Sequence, residues 1–404
     1  MRLHFTIAAK SSPWLLLFPA LLFPCLPARA QSEAVSSKPY AVLDRQSVVY
    51  RGPLSPTGAE QTDGPVAIGM ILPLRGSQES EGKALLAAAQ LAIEEEQAKG
   101  PLVDGRHLEI VARDETGLWG QVSTQILKLV EEDRAVAIFT SANGASAHLA
   151  EQIANKLSVP ILTLASDPST TQANVPWIFR LGPSDTDQAR AFSQRIYTEL
   201  HLQKVLLVAQ MDHDGRTGAA EFEKAAKGLG ATPPLRFEPT GSAGNLESFD
   251  ELLQTNAPEA IVFWTDTPTA DELLALTKKI RPTIPVFLSR KSVEFGTREV
   301  FLGNSFTIDS ASAGQAAATS KFSELYRART GTNPSLAADE IYLAVRMVAK
   351  EIRATGANRV MLRDYLANQE ISRDPKTVKP FDPAGNDLRK LALVKMQTNS
   401  PAKP

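Results

Sequence analysis

Small hydroxyl and amide side chains follow two apolar segments between Val136 and Gln172, and these residues are well suited to binding a polar molecule. The apolar segments, Val136–Phe139 and Ile161–Leu164, have the pattern of strands buried on both faces of a parallel sheet. Between them, Ala145–Leu157 carries an apolar stripe at helical spacing, which completes a strand–helix–strand unit. Open α/β sheets bind ligands at the carboxyl ends of their strands. The polar groups expected there are Thr140, Ser141, Asn143, Ser146, Ser166, Ser169 and Thr170.

Two motifs approach catalytic signatures, but each lacks a required residue. Gly144 to His148 has the Gly and Ser of a nucleophile elbow, with His148 where the second Gly is required. Gly76 to Ala84 has the glycines of a phosphate-binding loop, but Ala84 replaces the Ser or Thr that would hold magnesium. We therefore predict a helix N-terminus at the first motif and a strand-to-helix turn at the second. No catalytic residue and no cofactor is expected.

The sequence Asp212-His213-Asp214 follows a predicted strand and contains three side chains that could bind a metal ion. Three adjacent side chains converge poorly on one ion, and no second His/Asp pair at helical spacing supports them. We predict a polar loop at the rim of the cleft, with Asp212 or Asp214 facing a ligand, and no metal site.

Three other side chains have two interpretations each. Trp119 precedes a predicted helix, and its ring either lines the cleft or packs within the fold. Arg75 and Arg290 each follow a predicted strand and either pair with a ligand carboxylate or lie on the surface.

The order of the elements predicts the fold class. Strands and helices alternate from Val66, and the pattern restarts after Gly182-Pro183 and continues to Leu288. This alternation predicts an α/β protein with two parallel sheets, each covered by helices on both faces. After Ser289 the alternation weakens, and the final strand, Leu391–Met396, must join one of the earlier sheets.

The first 30 residues have the pattern of a secretory signal peptide. A basic start is followed by an apolar run and by Ala28-Arg29-Ala30, an A-x-A cleavage site. Lipidation at Cys25 is the alternative, but Pro24 fits a lipobox poorly. Cleavage would remove the only cysteine and take the net charge from −2 to −5. An acidic, exported chain without a basic tract is a poor candidate for nucleic-acid binding.

Several short motifs, taken in order, identify a family. They begin with Ile68-Gly69-Met70-Ile71-Leu72-Pro73-Leu74, continue with Ser158-Val159-Pro160-Ile161 and Val175-Pro176-Trp177-Ile178-Phe179-Arg180, and end with Phe381-Asp382-Pro383-Ala384-Gly385-Asn386. This order resembles the periplasmic substrate-binding proteins of branched-chain amino acid and amide ABC transporters, which are leucine-binding-protein-like and have the type 1 periplasmic binding fold. The resemblance covers Val66 to Met396.

The resemblance implies two Rossmann-like lobes with parallel sheets, joined by a three-crossover hinge. The crossings are expected near Arg180–Ser184, Ser289–Lys291 and Lys379–Asn386. The chain then divides into a signal peptide (1–30), an N-terminal arm (31–64), a first lobe (65–181 plus 291–378) and a second lobe (182–290 plus 387–400).

The resemblance also implies where a ligand binds. In the family, the first lobe holds the carboxylate of an amino acid, a role that falls here on Asn143, Gly144, Ser146, the backbone of Leu164, Ser166 and, nearby, Ser77. An aromatic residue commonly precedes the glycine after the first strand of the second lobe, where this chain has Asp214 before Gly215. An acidic group is expected after the Trp264 strand, and Asp266 and Asp271 are the candidates. These departures leave the ligand class open, including a carboxylate without an α-amino group.

We therefore expect a periplasmic solute-binding protein that is not an enzyme. It would bind a small amino acid, amide or related carboxylate between its lobes and deliver it to a membrane ABC permease. The alternative is a ligand-sensing or scaffolding protein that uses the same fold with a degenerate cleft. Fold alone does not choose between them.

Overall fold

The computed structural model describes residues 64–102, 104–173, 175–240, 244–295, 304–310, 316–367, 381–382, 384–387 and 391–396. The predicted signal peptide and all of the predicted arm except Gly64 lie outside the described residues. All described residues belong to one unit, Ser47–Pro404. None of the helices among them is long and apolar enough to span a membrane.

The first lobe contains a five-stranded parallel sheet in the order β2-β1-β3-β4-β5. Its elements are β1 Val66–Leu72, α1 Glu79–Gln97, β2 Leu108–Asp114, α2 Trp119–Glu131, β3 Ala137–Thr140, α3 Gly144–Leu157, β4 Ile161–Thr163, α4 Ser169–Gln172 and β5 Ile178–Arg180. The later helices α10 Ala316–Thr330, α11 Leu336–Thr355 and α12 Arg359–Leu366 complete it.

The second lobe contains a six-stranded sheet in the order β11-β10-β9-β8-β6-β7. Only the pair β10 and β11 is antiparallel. Its elements are α5 Asp185–Ser193, extended by a π-helical turn at Gln194–Glu199, then β6 Val205–Ala209, α6 His213–Gly228, β7 Leu235–Phe237, α7 Gly244–Asn256, β8 Ala260–Trp264, α8 Thr267–Ile280, β9 Val286–Leu288, α9 Arg290–Val293, β10 Ser305–Ser310 and β11 Leu391–Lys395.

Apolar side chains cover both faces of each sheet, so the predicted α/β class with two parallel-sheet lobes is confirmed. β1 is buried along its whole length. Its two faces belong to different cores, because Ile68 packs with the α1 and α11 side while Ile71 packs with the α2 and α3 side. Burying a Leu or Ile side chain contributes about 1.5–3 kcal/mol, and these cores hold the strand ends that form the cleft in place.

One predicted boundary between the lobes is wrong. The sequence-based division assigns residues 291–378 to the first lobe, but β10 pairs with β9 and β11 in the second sheet. The stacking of Phe306 on Phe287, with ring centroids 5.2 Å apart, fixes this strand there. The chain therefore remains in the second lobe through β10, and the crossing predicted at Ser289–Lys291 is not there. Polar residues alternate along β10, so its sequence pattern does not predict that it pairs with β9.

The other two crossings are joined by backbone hydrogen bonds. The Arg180 N–H, at the end of β5, donates to the Gly385 carbonyl at 2.8 Å. Gly385 has φ +87°, and a Cβ at this position would collide with the Ile178 carbonyl. A side chain there would separate the two segments, so glycine is required for their close approach.

Candidate ligand-binding site

A cavity of about 120 Å³ lies between the carboxyl ends of the strands of the two lobes. Of its described lining residues, six carry carboxyl groups and one carries a cation, Lys291. The acidic residues come from both lobes and are Glu81, Glu115, Asp212, Asp214, Asp266 and Glu294. The cavity is smaller than the roughly 300–1,000 Å³ of pockets for drug-sized ligands, so it fits a solute of a few heavy atoms.

The backbone N–H groups at the start of α3, which were predicted to bind a ligand carboxylate, already donate hydrogen bonds to other groups of the chain. Asn143 is the N-cap of α3, and its side chain accepts from the Ser146 N–H at 3.0 Å. The Asn143 N–H donates to Ser141 Oγ at 3.1 Å. The Gly144 N–H donates across the cleft to Asp214 Oδ1 at 3.1 Å. A carboxylate of the second lobe thus takes the position at which a helix N-terminus binds anions.

Glu115 is the buried acid of the first-lobe half of the site. It directly follows β2, and Ser141 Oγ donates to its Oε1 at 2.6 Å. Its other oxygen, Oε2, is buried and has no hydrogen-bond partner among the described residues. Burial raises the pKa of Glu115 to about 7, although the hydroxyls of Ser141 and Ser146 act to lower it. A buried, unpaired carboxylate oxygen is costly and indicates a position where a ligand donor would bind.

The second-lobe half of the site uses the N-termini of α6 and α8. Asp212 caps α6 by accepting from the Gly215 N–H at 2.7 Å, and Asp266 caps α8 by accepting from the Thr269 N–H at 2.9 Å. Lys291 Nζ lies 2.5 Å from Asp212 Oδ2 and 3.8 Å from Asp214 Oδ2. The one lining cation is therefore already engaged by two carboxylates.

Carboxyl groups of the two lobes face one another across the cavity. Burial and the neighbouring Asp266 raise the pKa of Glu81 to about 7. Burial likewise raises the pKa of Glu294 to about 8, against the lowering effect of Arg290. The pKa of Asp266 is lowered, because hydrogen bonds from Thr269 and Gln210 outweigh its burial. Uncompensated negative charge would concentrate here on closure, which a cation between the lobes would relieve.

The remaining predicted site residues lie away from this cavity. Ser77 lines a separate, open depression beside Thr116 and Gln121. The Leu164 side chain belongs to the first-lobe core. The carbonyl of Ser166 accepts from the Asp185 N–H at 2.8 Å, which makes Ser166 a contact between the lobes. Trp119 begins α2, and its side chain lies outside the described part of the structure.

The predicted acids and the α3 N-terminus, by contrast, come together. Asn143, Asp214 and Asp266 line the cavity, and Gly144 and Ser146 lie directly behind its wall. Sequence reasoning missed Glu81, Glu115, Lys291 and Glu294. Glu115 could have been found, because it directly follows a predicted strand at the carboxyl edge of the sheet. Glu81 and Lys291 carry no such signal, since they lie in the first turn of α1 and in the short helix α9.

Arg290 is neither a surface residue nor a contact of the cavity. It is buried, and its guanidinium pairs with Glu340 of α11 at 2.9 Å. Its backbone N–H donates to Gln188 Oε1 at 2.7 Å. Arg290 therefore ties α9 to both lobes. Arg75, the other predicted arginine, is exposed and pairs with Asp114.

A second cluster of ionisable groups joins the lobes beside the cavity. Asp167 of the first lobe is buried, and its Oδ2 lies 2.7 Å from His213 Nε2 of the second lobe and 3.1 Å from His148 Nε2. The other nitrogen of His148, Nδ1, lies 3.0 Å from Glu151 Oε2. Hydrogen bonds to Asp167 and Glu151 raise the pKa of His148 to about 9. Although burial acts in the opposite direction, His148, His213 and Ser169 lower the pKa of Asp167.

Solved structures of two-lobed binding proteins have the same fold as this chain. One is a branched-chain amino acid transporter substrate-binding protein, LivJ, from Streptococcus pneumoniae in complex with isoleucine (TM-score 0.67, 21% identity, 83% of this chain and 97% of that chain covered). Another is an ABC transporter solute-binding protein from R. palustris in complex with benzoate (TM-score 0.69, 16% identity, 83% and 94% covered). A third is a periplasmic binding protein from Burkholderia mallei (TM-score 0.70, 16% identity, 85% and 92% covered).

The family assignment follows from the sequence model of the family. The model described as "Periplasmic binding protein" matches residues 65–364, which span both lobes and the cleft between them. The chain therefore belongs to the periplasmic binding protein family, whose members bind solutes in the periplasm.

Proposed function

We propose that this protein is the solute-binding component of an ABC transporter and that its solute carries a cationic nitrogen, as an amine or an amino acid does. The solute binds in the cavity between the lobes, and a membrane permease receives it. Family membership and the relatives named above, which bind isoleucine and benzoate, support the transport role. The charge of the cavity supports the cationic group.

The observation that carries this proposal is the unpaired Oε2 of Glu115. An ammonium group has three donors and no acceptor, so it can pair with this oxygen and still donate to a second carboxyl group. Glu81 and Asp266 line the same cavity from α1 and from the second lobe. A charge-assisted hydrogen bond of this kind is about twice as strong as a neutral one.

The cavity offers few free donors that could bind a ligand carboxylate as the main anchor. The N–H groups of Asn143, Gly144 and Ser146 already donate to Ser141, Asp214 and Asn143, respectively. Lys291 is the one described cation of the lining, and it pairs with Asp212. For an amino acid, the ammonium group would therefore be the first anchor, and its carboxylate would compete with Asp212 for Lys291.

Binding of the solute is coupled to the equilibrium between the open and closed forms of the protein. Bringing Glu81 and Glu115 of the first lobe toward Asp266 of the second places like charges together, which disfavours the closed form. A cation between them reverses the sign of this interaction. Solute binding then shifts the population toward the closed form, which is the form that a permease would recognise.

Calorimetry with three matched solutes tests the proposal. Valine carries both charges, isobutylamine is valine without its carboxylate, and isovalerate is valine without its amino group. We expect heat with valine or isobutylamine, compaction by small-angle scattering with the same solute, and neither with isovalerate. Linear diamines and larger amino acids extend the panel if the small solutes are silent. Binding of isovalerate with no response to any amine would overturn the cationic assignment.

A sensing or scaffolding role is the second candidate, and the self-satisfied α3 N-terminus favours it. The Asp214–Gly144 hydrogen bond joins the lobes without a ligand. In that case the protein would be compact in solution before any solute is added, and no amine or amino acid would change its scattering profile.

We further infer that the chain is exported by cleavage after Ala30 and has no enzymatic activity. The His148 ring, which a serine nucleophile would need as its base, is engaged by Asp167 and Glu151. N-terminal sequencing of the protein recovered from a periplasmic extract should begin at Gln31. A start at Cys25 would support lipidation instead. Any hydrolase activity that Ser146→Ala abolishes would contradict the second inference.

A further inference from the structure

We propose that His148, Asp167 and His213 form a binding site for a divalent transition-metal ion of the Zn²⁺ class, which bridges the two lobes when they are closed. One ligand atom from each residue lies within 4.8 Å of the other two. His148 and Asp167 belong to the first lobe, whereas His213 is the first residue of α6 in the second lobe. The site goes beyond the solute cavity, and no step of solute binding depends on it.

The spacing of the ligand atoms suits a tetrahedral ion. Zn²⁺ bonds of about 2.0–2.2 Å to nitrogen and oxygen place the ligand atoms about 3.3 Å apart. Here Asp167 Oδ2 lies 3.1 Å from His148 Nε2 and 2.7 Å from His213 Nε2. Small rotations of the two imidazole rings would open these distances to the required value. The fourth position would be taken by water, since the side chains of His148 and His213 are 30% and 42% exposed.

The groups around the three ligands are arranged to support a metal. Glu151 accepts from His148 Nδ1, which leaves the Nε2 lone pair directed at the site when the ring is neutral. A carboxylate behind a histidine ligand is a common arrangement at zinc sites. The N–H and hydroxyl of Ser169 donate to Asp167 Oδ1 at 2.9 and 2.7 Å. They hold that oxygen and leave Oδ2 facing both histidines.

Ligand chemistry separates this site from the solute cavity. Two imidazoles and one carboxylate favour Zn²⁺ and its neighbours among the transition metals. The cavity offers carboxyl oxygens alone as anionic ligands, and oxygen ligands favour Ca²⁺ or Mg²⁺. Variants of the two places should therefore separate the two kinds of cation.

The position of the site links it to closure. His213 precedes Asp214, which accepts from the Gly144 N–H of the other lobe. The His148 and His213 rings meet edge to face, with centroids 5.9 Å apart. Opening the lobes would remove His213 from the other two ligands. An ion bound by all three would therefore stabilise the closed form by its differential affinity.

Zinc titration of the tag-free chain that begins at Gln31 tests this site. We expect one Zn²⁺ per chain by calorimetry after chelator treatment, and a decrease of the radius of gyration with Zn²⁺ in small-angle scattering. His213→Asn and Asp167→Asn should each lower the affinity for Zn²⁺ at least ~100-fold, and Glu151→Gln should lower it about 10–100-fold. Substitution with Co²⁺ should give the visible absorption of a tetrahedral ion in the wild-type protein and lose it in His213→Asn.

Two controls separate this site from other binding. His107→Gln changes an exposed histidine of the first lobe outside the cluster and should leave Zn²⁺ affinity unchanged. Glu115→Gln alters the solute cavity and should also leave it unchanged. Retention of full Zn²⁺ affinity in a His148→Gln, His213→Asn double variant would overturn the proposal. So would the absence of Zn²⁺ binding in a wild-type protein that binds its solute normally, whereas failure of the solute proposal alone would leave the Zn²⁺ titration unaffected.

Discussion

Two groups of ionisable side chains lie side by side between the lobes, and their electrostatics are opposite. In the solute cavity, carboxyl groups face carboxyl groups, and burial raises the pKa of Glu81 and Glu115 to about 7. Beside it, the buried Asp167 faces two imidazoles, which lower its pKa. The neighbouring residues His213 and Asp214 place α6 in both groups.

This difference shows that closure has two separate sources of free energy. In the His148–Asp167–His213 cluster, the hydrogen bond between His213 of the second lobe and Asp167 of the first can hold the lobes together without a solute. The cavity opposes closure until protons or a cation neutralise its carboxylates. A lobe interface with both features can close on its own and still respond to a solute, so each source can be altered without the other.

The largest effect is expected from Gly144→Ala, which should push the two lobes apart at both groups of ionisable side chains at once. A Cβ at this position would collide with Asp214 Oδ1 and touch the His213 ring. Overpacking of this kind costs about 1–3 kcal/mol, which reduces the ratio of closed to open form about 5- to 150-fold. Small-angle scattering should show an expanded average shape. Gly120→Ala is the matched control, because the Cβ of that helix residue would meet nothing within 4 Å. Equal compactness of the two variants would contradict the observed closed interface.

Glu115→Gln removes one charge of the cavity and leaves the histidine cluster intact. Hydrogen bonds to charged groups contribute about 1.5–3 kcal/mol, so affinity for a cationic solute should fall about 10- to 150-fold. Calorimetry with the solute identified from the amine panel measures this change. Glu109→Gln, at an exposed position of the same β2 strand, is the matched control and should bind normally. Unchanged affinity in Glu115→Gln would remove this carboxylate from the site.

The pH dependence of solute binding should follow the two raised pKa values. In the closed, solute-free form Glu81 and Glu115 stay protonated up to a pH of about 7, whereas their usual pKa is 4.5. The protonated carboxyl groups therefore stabilise the closed, solute-free form fully below pH 4.5, and this stabilisation is lost as the pH rises through 7. A cationic solute favours the ionised carboxylates, so its affinity should rise up to about 100-fold per group between about pH 5 and pH 8.

Proton release provides a separate measurement of this linkage. Calorimetry at pH 7 in buffers of different ionisation enthalpy should show protons leaving the protein on binding of the cation. Glu115→Gln should reduce the number released. Affinity that declines as the pH rises across this range would be the wrong sign for a cation held by these carboxyl groups.

The smallest effect is expected from Lys291→Met, where the direction of the change is the test. This substitution removes the one described cation that lines the cavity. Its loss should strengthen the binding of a cationic solute only a few-fold, because Asp212 and Asp214 already pair with this lysine and salt screens the remainder. An anionic solute would instead bind more weakly. Calorimetry at two salt concentrations distinguishes the two outcomes.

The sequence predicts helices and strands well where a local apolar pattern alone determines them. The predicted strands Val136–Phe139 and Ile161–Leu164 and the predicted helix Ala145–Leu157 match β3, β4 and α3 to within one residue at each end. The sequence pattern places β10 in the wrong lobe, because its pairing depends on contact with Phe287 in the adjacent strand β9, and its own pattern is short and polar. Strand partners are set by tertiary packing, which local periodicity does not contain.

The solute site divides in the same way. The sequence alone determined that Asn143–Ser146 begin a helix at the carboxyl edge of a sheet, and that Asp214 and Asp266 follow strands of the second lobe. Only the tertiary structure decided what those groups do. Closure places the Asp214 carboxylate on the Gly144 N–H and brings His148, Asp167 and His213 together from three separate elements. The orphan oxygen of Glu115 likewise depends on burial of this carboxyl beside Ser141, which follows a different strand. Spacing along a chain fixes which residues share an element, whereas charge and pKa depend on distances between elements that only the packed lobes set.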